Sequence, residues 1–490
     1  MRAAALIAVA WLALASSDAR SARGAKPDAI SKRHADLIAS YAADLQALAG
    51  EASDSGLTSQ AAKARRWAPP VLQNTLRFAQ RPAIATDVAP APSRLPADSP
   101  EFRWQARFDQ ARADQAETLF ALSAEAVDDG EASQAFPLLV ETLRENPDHE
   151  AARKILGYER LNDRWLTPFE ARKLREKQVW HPKFGWIPAA NVKRYEGGEQ
   201  FYRGRWMKAD DANRLGAQPK NGWNVTTEHY AVHTDHSLEE GVRLATRLER
   251  LYDVWQQMFA GFVATEEQLA RRYRGQAATR REPPQHKVVL FRDRDRYIEA
   301  LKKDQPNIEL SSGFYLASRR EAYFYVAEGE QDDTNLYHEA THQLFSEIRP
   351  VSRDIGRDEN FWIIEGIACY MESLVEQEGW TLLGGNDAVR LRDAQHRLLA
   401  DNFYVPLSEL ISLGMEQLQR DPRIAKLYSQ SAGLTHFLIH GAEGRYRGPL
   451  VEYLVAVYTG RDRADTLATL TGEPDARLDE LYREFLKSIK

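Results

Sequence analysis

The chain has a single cysteine in 490 residues, Cys369, so no intramolecular disulfide can hold it together. Its stability must come from a packed core and from any metal it binds. Beyond the first twenty residues it has no apolar stretch of about 18, the length needed to cross a bilayer. It also lacks a dominant charge: 65 Lys and Arg face 71 Asp and Glu, a net of −6. That balance, without a basic stripe, excludes a nucleic-acid partner held by electrostatics. What remains is an ordinary globular composition, 43% hydrophobic and 28% charged, in a length that suits about two to four domains.

The N-terminus reads as a targeting segment. Arg2 precedes the apolar run 3–15, and Ser17-Asp18-Ala19 offers a cleavage site, with Ala13-Leu14-Ala15 as the alternative. Residues 1–19 are therefore expected to be a signal peptide. Export to the periplasm, cell envelope or extracellular space follows, with no stable membrane span after cleavage. A retained anchor is the other reading of the same run. Residues 20–80 are Ala-rich and helical in pattern. Residues 81–100 hold Pro82, Pro90, Pro92, Pro96 and Pro100 and read as an extended linker.

Residues 101–160 suggest an antiparallel, TPR-like helix pair, with Asn146-Pro147-Asp148 ending its second helix. In residues 161–222, Asp163-Arg164-Trp165 with Glu170-Ala171 recurs as Gly204-Arg205-Trp206 with Asp211-Ala212, and Gly185-Trp186-Ile187-Pro188 lies between. This reads as two little repeated modules built around tryptophan cores. A carbohydrate- or peptide-binding aromatic surface is the other use of such rings.

The chemistry is concentrated further on. His338-Glu339-Ala340-Thr341-His342 is an HExxH motif in a stretch of helical pattern. Histidines at i and i+4 share one helix face and can reach one metal ion, with Glu339 beside its open position as a general base for water. Asp332-Asp333-Thr334-Asn335 supplies N-cap residues and Pro350 a stop. The apolar face Leu336, Ala340, Leu344 and Phe345 marks a core helix. The bland alternative is a buried helix whose histidines merely bond neighbours.

A zinc hydrolase needs a third protein ligand and leaves the fourth position to water. Glu365, in Phe361-Trp362-Ile363-Ile364-Glu365-Gly366-Ile367-Ala368, is the best candidate, because a carboxylate in such apolar surroundings is costly without a cation. The alternative is a Glu that points to solvent. Glu372 reads as an ordinary exposed or salt-bridged residue, though it could orient a ligand. Cys369 reads as a small buried residue, although a ligand role is geometrically conceivable.

HExxH followed by W-x-x-E-G-x-A resembles the gluzincin branch of zinc metallopeptidases. The likeness covers about residues 225–490, its specific part being the two motif helices, and is nearest to secreted bacterial gluzincin-like proteins with TPR-like helices. The resemblance implies a zinc ion held by His338, His342 and Glu365, with Glu339 as catalytic base. It implies Tyr428, in Leu427-Tyr428-Ser429-Gln430, as the donor to the oxyanion; His436, which has i,i+4 spacing with His440, is the alternative donor. The Gly-x-Met-x-Asn strand of the aminopeptidases is absent. Here the corresponding segment is a hairpin spanning residues 314–326, able to present an edge strand to an extended peptide.

His229, His233 and His236 read as structural or surface residues rather than a second metal site. The expected fold is α+β. Residues 223–490 would form a gluzincin-like domain with a small mixed sheet, the HExxH helix and a C-terminal helical lobe. Its elements would be a strand at 225–234, a helix at 238–259, a strand at 287–291 and helices after Pro406, preceded by the mainly helical and Trp-bearing N-terminal modules. The function implied is Glu-assisted attack of a zinc-bound water on an amide, the substrate being a peptide or protein, cell-wall peptide included. The rival is a cell-envelope binding or scaffold protein with a structural or vestigial zinc site. Oligomeric state is not legible.

Overall fold

The computed structural model describes residues 29–81, 96, 98–276, 285–327 and 333–490. The expected signal peptide and most of the expected linker lie outside these residues. Two compact units divide the chain: one comprises residues 33–350 and 368–385, the other residues 1–32, 351–367 and 386–490. The fold is α+β, and no helix among the described residues is long and apolar enough to cross a membrane.

The first unit opens with α1 (Ala29–Asp54) and α2 (Thr58–Trp67), then strand β1 (Thr75–Ala79). Helices α3 (Pro100–Asp128) and α4 (Ala132–Glu145) pack on each other as the helix pair expected from the sequence. Ser99 caps α3 by accepting the N–H of Phe102, which leaves Pro100 in the first turn where its missing donor costs nothing. Tyr41, Leu45, Ala61, Trp104 and Phe108 fall in one core, so α1, α2 and α3 are packed together. Residues 20–80 are not helical throughout. β1 pairs antiparallel with β14 (Trp380–Gly384), about 300 positions away, and β13 (Val375–Gln377) completes that sheet.

After α5 (Glu150–Leu156) come three hairpin–helix modules, not two. They are β2 (Glu159–Leu161), β3 (Arg164–Leu166) and α6 (Pro168–Arg175); β4 (Gln178–His181), β5 (Gly185–Pro188) and α7 (Val192–Glu196); β6 (Glu199–Tyr202), β7 (Arg205–Lys208) and α8 (Ala209–Gly216). Trp165, Trp186 and Trp206 each occupy the second position of the second strand. The spacing between the two Arg-Trp pairs therefore holds two repeat periods, and Gly185-Trp186 is the unit between them.

The segment expected as one strand at 225–234 is a hairpin. β8 (Trp223–Thr226) turns at Thr227–His229 and returns antiparallel as β9 (Tyr230–Thr234). Then come α9 (Leu238–Met258), α10 (Ala260–Val263), α11 (Glu266–Tyr273), β10 (His286–Phe291), α12 (Arg294–Leu301), β11 (Gly313–Leu316) and β12 (Glu321–Tyr325). The sheet order is β11-β12-β10-β9-β8, parallel across β9, β10 and β12 and antiparallel at both margins, so β11 is an edge strand as expected. Strand alternation assigns Phe291 and Tyr323 to one face, packed with Tyr297, Leu301 and Ile308 near α12.

Helix α13 (Thr334–Glu347) packs beside α9 on the sheet. Phe345 fixes it there, its ring 4.8–5.1 Å from those of Trp255, Phe259 and Phe262. Ala340, Thr341 and Leu344 are fully buried on the same stripe. Asp332 lies outside the described residues. Asp333 makes no capping bond and instead pairs with Arg247 at 2.6 Å.

α14 (Phe361–Met371) is continuous, and the division between the units falls within it after Ile367. In the second unit, Asn360 anchors its start, donating to Asp462 at 2.7 Å and accepting from the Tyr453 hydroxyl. The rest of that unit is helical, as expected: α15 (Val389–Leu399), α16 (Leu407–Ser412), α17 (Met415–Arg420), α18 (Ile424–His440), α19 (Arg447–Thr459), α20 (Thr466–Thr471) and α21 (Asp475–Ser488). A Cβ at Gly366 would lie 2.5 Å from Thr435 Oγ1 and 2.8 Å from the Ser431 carbonyl, so glycine there lets α14 and α18 approach closely.

Candidate metal centre

His338 and His342 are one turn apart on α13, their rings inclined at 79° and their Nε2 atoms 3.2 Å apart. Two zinc–nitrogen bonds of about 2.05 Å at a tetrahedral angle put the nitrogens about 3.3 Å apart. The pair thus has the separation that one tetrahedral ion requires. The other nitrogen of His338, Nδ1, lies 2.8 Å from Oε1 of buried Glu372. A carboxylate has no proton to give, so Nδ1–H donates and the Nε2 lone pair is left for a cation. Glu372 is therefore the salt-bridged partner of a candidate ligand, one of the readings its sequence setting offered, and its side chain is not exposed.

Glu365 lies one turn before Cys369 on α14, and Glu372, which meets His338, follows directly after the last residue of that helix. It is 7% exposed among Phe361, Trp362 and Ile364, which removes the reading of a solvent-facing side chain. The ligand atoms of His338, His342 and Glu365 all lie within 4.8 Å of one another. Two imidazoles and a carboxylate are a donor set that zinc accepts with a position to spare. His338, Cys369 and Glu372 form a second such group. The two groups compete for His338, and the first has both Nε2 atoms already converged.

Glu339 is held separately. Its Oε2 accepts the backbone N–H of Tyr315, at 2.9 Å, from edge strand β11. A Cβ at Gly313 would sit 3.3 Å from Glu339 Cγ and 3.0 Å from the Phe324 ring, so the glycine admits both side chains. The Tyr297 hydroxyl is pushed up to about 12 by burial, with the Glu339 charge adding to the effect.

Tyr428 is half-buried on α18, in the second unit. On the same helix His436 and His440 are buried, and burial pushes His436 down to about 3 and holds His440 well below the ordinary imidazole value, so both rings are neutral. The three histidines near residue 230 do not form a metal group among the described residues. His229 bonds Glu249 at 2.7 Å, His233 bonds Asn224 at 2.9 Å, and His236 bonds Ser237 at 3.2 Å, in keeping with a structural role.

Residues 333–454 match a family described as a protein of unknown function, DUF1570. The matched stretch contains His338, Glu339, His342, Glu365, Glu372 and Tyr428, about a quarter of the chain. No curated protein matches the sequence.

Proposed function

We propose that this chain is an exported zinc-dependent metallohydrolase of gluzincin type, acting as a peptidase on peptide or protein substrates. The supporting observation is the convergence of His338 and His342 Nε2 atoms at 3.2 Å, with the Glu365 carboxylate in reach and Glu372 behind His338. A structural zinc site closes its coordination with four protein ligands, whereas three donors with an acid between the histidines suit hydrolysis.

Zinc, when bound, would supply Lewis-acid polarisation of the amide carbonyl and a lowered pKa for water. In this reading a Glu339 carboxylate oxygen takes a proton from the attacking water as its oxygen bonds to the carbonyl carbon. The same carboxyl then gives that proton to the amide nitrogen as the C–N bond breaks. The Tyr315 N–H orients the carboxylate through Oε2. Tyr428 donates its phenol O–H to the developing oxyanion, with His436 as the alternative donor.

The test is a Glu339→Gln variant assayed on a peptide library that includes cell-wall peptides. Turnover should fall about 10²–10⁴-fold, the size of a lost general base, with zinc content unchanged. Full activity in the variant would contradict the mechanism. A parent protein that binds zinc yet cleaves none of the peptides would favour the scaffold reading.

A further inference from the structure

The three hairpin–helix modules treat their tryptophans differently. In the first, the Arg160 guanidinium lies 5.8 Å from the Trp165 ring centre; in the third, Arg194 lies 4.0 Å from that of Trp206. In the middle module Trp186 meets Trp180 instead, ring centroids 5.8 Å apart and planes at 65°. Phe169 of the first module adds an edge contact to Trp186 at 6.1 Å. Among the described residues no Lys or Arg stacks on Trp180 or Trp186, and both rings are half-buried.

Both rings line a cavity of about 1020 Å³ within the first unit. That volume is at the upper end of small-molecule sites, about 300–1,000 Å³. Its wall carries five carboxyl groups and five Lys or Arg side chains, so neither sign dominates it. Several are already satisfied: Arg81 with Asp253 at 2.5 Å, Glu249 with His229 at 2.7 Å, and Arg250 with Glu376 at 3.3 Å. Glu170, in the capping box of α6, and Glu228, in the β8–β9 turn, also line it.

These features select among ligand classes. A purely apolar ligand would strip water from the charged groups that the wall leaves without a protein partner and return no hydrogen bonds. A strongly anionic or cationic ligand would meet equal numbers of both signs. A neutral, polyhydroxylated ring satisfies the wall: its C–H face lies on an indole, and its hydroxyls donate to carboxylates. We infer that this cavity is a saccharide-binding site, with Trp180 and Trp186 as the stacking platform and Glu170 and Glu228 as hydroxyl acceptors. No guanidinium covers the tryptophans of the middle module, whose own Arg194 stacks on Trp206 of the third module instead, and this leaves the rings open to the sugar. Its lining shares no residue with the metal centre.

Isothermal titration of the mature protein tests this with four probes: tetramers of β-1,4-linked N-acetylglucosamine, β-1,4-linked glucose and α-1,4-linked glucose, and tetra-alanine. At least one sugar should bind. Trp186→Ala should weaken it about tenfold, as the loss of one aromatic stack implies. Glu228→Gln, a near-isosteric change at a turn, should also weaken it. Trp206→Ala, which alters a ring covered by Arg194, should leave it unchanged. Circular dichroism reports whether each variant folds; should Trp186→Ala fail, Trp186→Phe and Glu228→Gln decide. No heat from any sugar at about 10 mM, far weaker than sites of this size normally bind, overturns the proposal. So does binding of tetra-alanine alone, or sugar binding that folded Trp186 and Glu228 variants leave untouched.

Discussion

The two polar centres of this protein are buried by opposite means. On α13 and α14 a few donors converge within a shell of large apolar side chains, with Trp362 and Phe361 beside Glu365 and Leu344 and Phe345 below the histidines. Around the aromatic cavity, ten charged side chains, five of each sign, share a wall. The first arrangement is short of positive charge and suits a cation; the second is balanced and suits a neutral ligand. Local charge balance, more than burial, thus decides what each centre can hold.

That contrast can be broken at several points. The largest effect is expected at Glu372, whose bond to His338 Nδ1 places the ring's lone pair on Nε2. Glu372→Ala should weaken zinc binding about 10–100-fold while leaving some activity at saturating zinc, measured by competition with a chelator. Unchanged affinity would mean that the carboxylate does not orient the ring.

Packing comes next. Gly366→Ala should gain a little helix propensity but force a methyl against Thr435 and the Ser431 carbonyl. A net destabilisation of about 1–3 kcal/mol is expected from denaturant unfolding. A neutral or stabilised variant would show that the contact between α14 and α18 is slack.

An effect of similar size, confined to higher pH, is expected at the cavity. Burial, with a further push from Glu228, raises the Glu170 carboxyl to about 7. Its unfolded value is 4.5, so between these pH values the folded state binds the proton more tightly and stability falls as pH rises. Glu170→Gln keeps the capping box with Thr167. It should leave stability unaltered below about pH 4 and raise it above pH 7 by roughly 1–3 kcal/mol. Thermal melts at pH 4 and pH 8 check this, and an equal change at both would refute it.

The same contrast explains what the sequence could reveal. His338, Glu339 and His342 were legible because their geometry is one helical turn, and Glu365 because its neighbours are almost all apolar. The β10 strand, α9 and the edge hairpin were legible from periodicity. Glu372 was legible only as one of several alternatives, since its partner lies on α13, far away in sequence, and its polar flank resembles a surface. The cavity was invisible for a similar reason: its wall draws on residues from Lys63 to Gly379, and no local pattern joins them. β1 was missed because its pairing partner is β14, and the middle Trp module because its turn lacks the Arg-Trp pair of its neighbours.

The decisive measurement is zinc per chain in the purified mature protein, by atomic spectroscopy, beside Glu365→Ala and Cys369→Ala. One zinc that is lost or weakened in Glu365→Ala and kept in Cys369→Ala is the expected result. A folded protein that takes up no zinc, or one whose zinc depends on Cys369 and not on Glu365, would contradict the three-ligand centre.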